Sequence, residues 1–156
     1  MSSPGAGANE NAAPMSSQWE LRATAGGFGF RIADATHAHN ARRIFSTYLR
    51  GHAAPNSEFD AAELIFGELL GNVARHAAGS VEVLLRWNGP AAVLEVIDDG
   101  PGYDVGPVDL PEDAFSESSR GLFLISAFGS DLRTYRGSDG RHVTHVVLPV
   151  RKALRR

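Results

Sequence analysis

The stretch ELLGNVARH occupies Glu68–His76, and the stretch DDGPG occupies Asp98–Gly102. The first places a carboxylate, an amide and an imidazole four residues apart on a predicted helix, so Glu68, Asn72 and His76 share one face. The second ends a predicted strand with carboxylates and then turns the chain through two glycines. We interpret the two stretches together as a site for a nucleotide and its magnesium ion.

The composition indicates one globular domain. The chain has 156 residues, of which 43% are hydrophobic, and this is enough for one domain with a core of its own. The formal net charge of −3 gives no indication of direct nucleic-acid binding. No apolar run reaches membrane-spanning length, and no secretory signal precedes the domain. Cysteine is absent, which excludes disulfides and thiolate chemistry. We expect a cytoplasmic protein without a membrane partner.

The two ends of the chain differ from its middle. Residues 1–17 are rich in Ser, Gly, Ala, Asn and Pro, and we predict a disordered tail there. The domain is predicted over residues 18–150. Residues 151–156 carry four basic side chains, and we expect a solvated basic tail that could instead touch an acidic partner.

Hydrophobic periodicity predicts six strands and three helices in this domain. The strands are predicted at Trp19–Ala23, Phe28–Ile32, Val81–Trp87, Val93–Asp98, Asp131–Arg136 and His142–Pro149. The helices are predicted from Asp34 or Thr36 to Gly51, from Asn56 or Ser57 to His76, and from about Arg120–Gly121 to Gly129. This order predicts an α+β fold, a two-layer α/β sandwich whose mixed, mostly antiparallel sheet is covered on one face by helices.

Glu68, Asn72 and His76 form a polar column on the second helix that borders an apolar stripe. Polar groups in this position must be hydrogen-bonded or bind a ligand. The amide oxygen of Asn72 is a hard ligand of the kind magnesium takes. The Glu68 carboxylate, one turn away, is placed to accept a proton from an attacking hydroxyl. His76 could hold a water or cap the helix. The alternative is a partly buried helix whose polar groups satisfy one another, and for His76 alone we favour it.

Asp98 lies on the same face of its predicted strand as Leu94 and Val96, because alternate residues share a face. If Leu94 and Val96 face the helices, the Asp98 side chain points into the space between sheet and helices. A buried carboxylate needs a donor, and the exocyclic amine of adenine is one. Gly100 and Gly102 would let the backbone approach a flat base closely. The alternative is ordinary turn chemistry, which Asp-Gly sequences also serve.

These motifs resemble the histidine-kinase-like ATPase superfamily and its Bergerat-type ATP-binding fold. Glu68–His76 looks like its N box, Asp98–Gly102 like its first glycine box, and Ser119–Leu122 like its second. The resemblance covers about Trp19–Pro149. The small domain, the short loop between glycine boxes and the GLFLI sequence of Gly121–Ile125 are most similar to the anti-sigma-factor serine kinases of the RsbW and SpoIIAB type.

The resemblance implies roles for individual residues. Glu68 would be the general base acting on a serine hydroxyl, and Asn72 would bind Mg²⁺. Asp98 would bond adenine in a pocket shaped by Gly100 and Gly102. Gly121, at a helix N-terminus, would offer its amide to the phosphates of ATP.

The remaining nucleotide contacts implied by the resemblance are His76, Arg120, Leu122 and Thr144. A lid over the triphosphate would span Tyr103–Ser119. Two departures from the family pattern bear on catalysis. Ser119 stands where a glycine is usual, and the lid carries acids where relatives often place an arginine, which leaves Arg120 as the nearest guanidinium.

The resemblance implies an anti-sigma factor with ATP-dependent protein serine kinase activity in a partner-switching system. The substrate would be a STAS-type anti-sigma-factor antagonist, the second partner a sigma factor, and the protein a homodimer. The alternative is a nucleotide-binding interaction module of the same fold that regulates a partner without phosphotransfer, which the acidic lid and Ser119 favour. A histidine-kinase catalytic domain is disfavoured, because we find no acceptor helix before Trp19.

The histidines near the C-terminus do not indicate a metal site. His142 and His145 are three residues apart on a predicted strand, so they should point to opposite faces of the sheet. We expect no metal between them.

Overall fold

The computed structural model describes the backbone of residues 22–24, 26–33, 37–76, 79–102 and 117–154. Side chains are described over 26–33, 37–75, 79–102 and 121–154. The predicted N-terminal tail, most of the predicted lid, and the side chains of His76 and Arg120 lie outside these residues.

The described residues form six strands and three helices. Their order is β1 (Arg22–Thr24), β2 (Gly27–Ile32), α1 (Ala38–His52), α2 (Phe59–His76), β3 (Val81–Asn88), β4 (Ala91–Asp98), α3 (Glu117–Phe128), β5 (Ser130–Arg136) and β6 (His142–Arg151). The strands form one sheet in the order β1-β2-β3-β4-β6-β5. Each described pairing is antiparallel, so the sheet expected to be mixed is antiparallel throughout the described strands. The predicted α+β sandwich is confirmed.

The helices bury one face of this sheet. Strand residues alternate between the faces, and those facing the helices are apolar over most of the sheet. The Phe45 ring of α1 stacks on the Phe66 ring of α2, with centroids 4.1 Å apart. The Phe66 ring meets the edge of Phe30 on β2, at a centroid distance of 6.4 Å. This aromatic column fixes both helices against the sheet, because aromatic pairs add to the stabilisation from burial alone.

The second helix begins later than predicted. α2 starts at Phe59, not at Asn56 or Ser57, and the Glu58 carbonyl accepts the Ala62 N–H at 3.1 Å. The Ser57 hydroxyl does not cap the helix. It accepts the Arg151 N–H at 3.1 Å, which ties the helix entry to the end of β6.

The third helix begins earlier than predicted. α3 starts at Glu117, whereas the sequence analysis placed its start near Arg120–Gly121. Glutamate is favourable in a first helical turn because its charge suits the positive end of the helix dipole. A serine hydroxyl near a helix start can accept a hydrogen bond from a free backbone amide. The extra turn places Gly121 inside the helix and no longer at its N-terminus. This affects the predicted contact between the Gly121 amide and phosphate.

The chain stays paired with the domain beyond residue 150, where the basic tail was predicted to begin. β6 includes Arg151, and the Lys152 N–H donates to the Pro90 carbonyl at 2.9 Å. The Ala153 N–H donates to the His52 carbonyl at 2.9 Å. These backbone hydrogen bonds join the segment to α1 and to the β3–β4 turn. Within the described residues, no helix combines the length and apolar character that a membrane span needs.

Candidate nucleotide site

The polar column of α2 faces the interior at its centre. Asn72 is 1% exposed, and Glu68, one turn earlier, is half-buried. The Asn72 Oδ1 accepts a hydrogen bond from Arg75 Nη2 at 2.5 Å. Its Nδ2 is buried and has no hydrogen-bond partner among the described residues. A buried amide donor left in this state costs free energy, which makes Asn72 a candidate for ligand contact.

Gly121 of α3 marks the point on which Glu68 and Asn72 converge. A Cβ built on Gly121 would lie 2.6 Å from Glu68 Oε2 and 3.6 Å from Asn72 Oδ1. The absence of a side chain therefore leaves room for the carboxylate beside the amide. Two oxygens of different chemistry, one a base and one a neutral hard ligand, face the same small space between α2 and α3.

The predicted contact of the Gly121 amide with phosphate needs correction. Gly121 is the fifth residue of α3, so its N–H lies in register for an intrahelical bond to the Glu117 carbonyl. The amides without an intrahelical acceptor belong to the first turn of the helix. Gly121 instead serves as the contact point at which α3 approaches the Glu68 side chain.

Asp98 lies at the end of β4 on the face that the helices cover. It is 3% exposed, and Leu94 and Val96 on the same face are fully buried, so the predicted strand parity is confirmed. The Gly100 N–H donates to Asp98 Oδ1 at 2.8 Å, which closes a tight turn. Asp98 Oδ2 lies 3.2 Å from His142 Nδ1. The carboxylate is thus held at both oxygens.

Gly102 rests against the same imidazole. Its φ of +83° is a backbone conformation that suits glycine. A Cβ at this position would lie 2.6 Å from His142 Cδ2, so a side chain would strike the ring. The Arg136 Nη2 donates to the Pro101 carbonyl at 2.9 Å and fixes the loop from the neighbouring strand. These contacts hold the segment from Asp98 to Gly102 against β6.

The helix carrying Glu68 and Asn72 ends at the same edge of the molecule as the segment Asp98–Gly102. α2 ends at His76, β3 begins shortly afterwards at Val81, and Val81 is paired with Asp98. The carboxyl end of α2 and the carboxyl end of β4 therefore meet at one edge of the sandwich. The structure brings the two predicted motifs to one region, as a nucleotide spanning both would require.

Other predicted site residues lie differently. Thr144 is fully buried on β6, opposite Val96 and two residues further into the sheet than His142. Leu122 is half-buried on α3. The predicted nucleotide contacts of His76 and Arg120 concern side chains outside the described residues.

The residues present fit a nucleotide with a magnesium ion. Asn72 offers an amide oxygen, and magnesium accepts one or two protein oxygens while phosphates and water complete its shell. The unpartnered Asn72 Nδ2 is the feature expected of a site whose polar groups meet a ligand. Among the described residues, no cluster of three His, Cys, Asp or Glu side chains could hold a metal ion. A metal here would depend on Asn72 and on the phosphates.

A second polar cluster lies on the opposite face of the sheet. His145 Nδ1 is 3.6 Å from Glu95 Oε2, and His145 Nε2 is 3.2 Å from Asp131 Oδ2. His142 and His145 therefore contact different carboxylates on opposite faces, as their spacing predicted. We assign this cluster to stability, because it is separated from the candidate site by the sheet.

Three residues of the site region were not assigned to it from the sequence: Arg75, Arg136 and His142. Arg75 follows Asn72 by three residues on a helix, and that spacing could have revealed it. His142 and Arg136 reach the site only through the pairing of β4, β6 and β5. No local pattern in the sequence indicates that pairing.

Comparison with known proteins adds one finding. A family model, described as the histidine kinase-like ATPase domain, matches residues 8–147 of the chain. No curated protein matches the sequence. The matched range includes both motifs and each described strand except the end of β6.

Proposed function

The chain belongs to the histidine kinase-like ATPase domain family, and on this premise we propose that it is an ATP-dependent protein serine kinase that also acts as an anti-sigma factor. Family membership implies ATP binding. The observation that carries the proposal is the convergence of the Glu68 carboxylate and the Asn72 amide oxygen on the space beside Gly121. A base beside a metal ligand is the pairing that transfer of a phosphoryl group to a hydroxyl needs.

In the proposed reaction, Glu68 orients the hydroxyl of a serine on a protein substrate and accepts its proton. The serine oxygen forms a bond to the γ-phosphorus of ATP. The bond between that phosphorus and the bridging oxygen of ADP breaks, and the electron pair leaves with ADP. Positioning and electrostatic stabilisation supply most of the rate enhancement in such transfers, so the geometry at Glu68 matters more than its intrinsic basicity.

Asn72 would hold a magnesium ion, which neutralises charge on the phosphates when bound. Asp98 would accept the exocyclic amine of adenine, with the Gly100 and Gly102 backbone beside the base. The predicted contacts of His76, Arg120, Leu122 and Thr144 with the nucleotide remain part of the proposal.

We propose a STAS-type antagonist as the substrate and a sigma factor as the second partner. Phosphorylation adds roughly −1.5 to −2 charges to a serine at neutral pH, which is enough to break a complex whose interface it enters. The released kinase would then be available to the sigma factor. The switch requires overlapping partner surfaces, and we propose that a homodimer presents them.

The second candidate function is a nucleotide-binding module that regulates a partner without phosphotransfer. Arg75 favours it, because its guanidinium occupies Asn72 Oδ1, the oxygen that a magnesium ion would need. A cation that competes with magnesium would permit nucleotide binding yet weaken transfer. The acidic lid predicted from the sequence favours the same outcome.

Phosphotransfer in clarified lysate of the source organism tests the proposal. The purified protein is incubated with magnesium and γ-labelled ATP, and the Glu68→Gln variant is run in parallel. We expect a labelled small protein with the wild type, and a rate roughly 10²- to 10⁴-fold lower with the variant, since a general base is lost. The labelled protein can then be identified and its modified residue mapped.

Glu58→Gln is the matched control, because Glu58 is exposed and precedes the same helix by one residue. It should transfer phosphate at the wild-type rate. Equal labelling by wild type and Glu68→Gln would contradict the assignment of Glu68. ATP binding by calorimetry with no labelled protein would select the non-transferring module.

A further inference from the structure

His142 lies directly opposite Asp98 in the antiparallel pairing of β6 with β4. Its Nδ1 is 3.2 Å from Asp98 Oδ2, and the two side chains are 5% and 3% exposed. A carboxylate oxygen accepts hydrogen bonds, so the proton between them is assigned to Nδ1 of the imidazole. Because the pair is shielded from water, this contact constrains the carboxylate more than a surface contact would.

The other oxygen of the same carboxylate is also held. Asp98 Oδ1 accepts the Gly100 N–H at 2.8 Å. With one donor on each oxygen, the plane of the carboxylate is fixed relative to the turn that follows. Each oxygen can still accept a second hydrogen bond. The group therefore presents acceptors, in a defined direction, to a ligand beside Gly100 and Gly102.

The imidazole also supports the backbone of this turn. A Cβ on Gly102 would lie 2.6 Å from His142 Cδ2 and 3.1 Å from Nε2, which shows that the glycine backbone lies directly on the ring. Arg136, paired with His142 on β5, anchors the Pro101 carbonyl at 2.9 Å. One side chain of β6 thus touches both the carboxylate and the glycine of the predicted base pocket.

We infer that His142 is a positioning residue that sets the base selectivity of the nucleotide site. This inference rests on the proposed nucleotide binding and names the residue that makes it selective. The Asp98 carboxylate, oriented by a donor on each oxygen, offers acceptors to the base. The exocyclic amine of adenine is a donor and matches them, whereas guanine presents a carbonyl oxygen at the corresponding position. With guanine, an Asp98 oxygen would face the carbonyl oxygen of the base, and both acceptors would be buried without a donor. Buried unpaired polar groups are a strong basis for rejecting a close analogue.

Loss of the imidazole would weaken this selectivity through the orientation of the carboxylate. The carboxylate could rotate about its last bond, since only the Gly100 N–H would still hold it. A rotated carboxylate would no longer aim its free acceptors at the exocyclic amine of adenine, so the preference for adenine over guanine should fall.

Calorimetric titration of the full chain with ADP and with GDP tests the inference. The wild type should bind ADP more tightly than GDP. His142→Leu has no donor at this position. In this variant the ratio of the Kd for GDP to the Kd for ADP should fall about tenfold or more. His142→Asn places an amide donor near the position of Nδ1, so it should recover most of the ratio.

His145→Asn is the matched control, because His145 lies on the same strand but faces the opposite side of the sheet. It should keep the wild-type ratio. A His142→Leu variant that is folded and keeps the wild-type ratio would overturn the inference while leaving nucleotide binding intact. If His142→Leu does not fold, His142→Asn decides the question. Its ratio of the Kd for GDP to the Kd for ADP should be near that of the wild type.

Failure of the proposed function has a different signature. A wild-type protein that binds neither ADP nor GDP would overturn nucleotide binding and the inference together. A wild type that binds the two nucleotides equally would overturn selectivity alone. A melting temperature that drops equally in both His142 variants, with unchanged Kd ratios, would assign His142 a structural role only.

Discussion

At the scale of one residue, Asn72 carries a cost to stability. Its side chain is almost fully buried, and its Nδ2 has no hydrogen-bond partner among the described residues. An apolar residue at this position would avoid that cost. The cost of this polar side chain is consistent with the magnesium-binding role proposed for Asn72.

Asn72→Leu should separate these two contributions. We expect the free energy of unfolding to rise by about 1 kcal/mol, because an unpaired buried donor is removed. The magnesium-dependent part of ATP affinity should disappear, since the amide oxygen is lost. Urea unfolding measures the first effect, and calorimetric ATP titration with and without magnesium measures the second.

A loss of stability in this variant, with magnesium dependence retained, would show that Asn72 is a structural residue. Val73→Ala at the neighbouring position provides the contrast. Val73 is 1% exposed and apolar, so its truncation should destabilise the fold without changing the magnesium dependence.

The packing of α3 on α2 depends on one glycine. Gly121 is buried in α3, and the Glu68 carboxylate of α2 fills the space beside it. The predicted polar face of α2 is therefore also a helix–helix contact. If Glu68 is the proposed base, residues of this contact should affect phosphotransfer through the position of its side chain.

Gly121→Ala should change activity more than stability. The added Cβ would lie 2.6 Å from Glu68 Oε2, the end of a flexible side chain that can swing away at low cost. Alanine also favours the helix by up to about 1 kcal/mol relative to glycine. We expect a melting temperature at or above that of the wild type, together with phosphotransfer reduced about tenfold or more by displacement of the base.

Gly51→Ala is the matched control for this substitution. Gly51 is also helical, in α1, but a Cβ there meets no atom within 4 Å. It should stabilise slightly and leave phosphotransfer unchanged. Full activity of Gly121→Ala would indicate that Glu68 does not act from its position in the structure.

At the scale of the whole molecule, the sheet separates a face covered by helices from a face with a charge network. Glu95 is buried on the latter, where it accepts hydrogen bonds from Arg86 and Tyr135. Burial alone would raise the pKa of Glu95. The Tyr135 hydrogen bond and the Arg86 charge outweigh burial and hold that pKa below its ordinary value of 4.5.

This network should make stability depend on pH in one direction. Because the pKa of Glu95 is lower in the folded state, its ionised form stabilises the fold above about pH 4.5, and this contribution is lost as the pH falls through the folded-state pKa. At neutral pH, Glu95→Gln should cost about 1–3 kcal/mol. The difference between wild type and variant should narrow below pH 4.5.

Urea unfolding of both proteins between neutral and acidic pH measures this difference. Glu58→Gln, at an exposed position, should follow the wild-type curve. A gap between wild type and Glu95→Gln that stays constant down to acidic pH would show that Glu95 is not ionised in the folded protein at neutral pH, or has the same pKa in both states.

Much of the fold and part of the site could be predicted from the sequence. The period of 3.6 on α2 placed Glu68 and Asn72 on one face, and the period of 2 on β4 placed Asp98 with Leu94 and Val96. Both predictions depend on residues close together in the chain. Element ends were less predictable, because Ser57 bonds to β6 and leaves α2 to begin at Phe59.

The sequence by itself determined the elements, the polar faces and the family, because local periodicity and motif spacing need no knowledge of what packs against what. Only the tertiary structure decided that His142 holds Asp98, across 44 residues of chain, and that Gly121 adjoins Glu68. The first contact depends on β6 pairing with β4 and on the register of that pairing, and the second on the packing of α3 against α2. Strand order is set by burial of the whole helix-facing surface, a property that no short stretch of sequence carries.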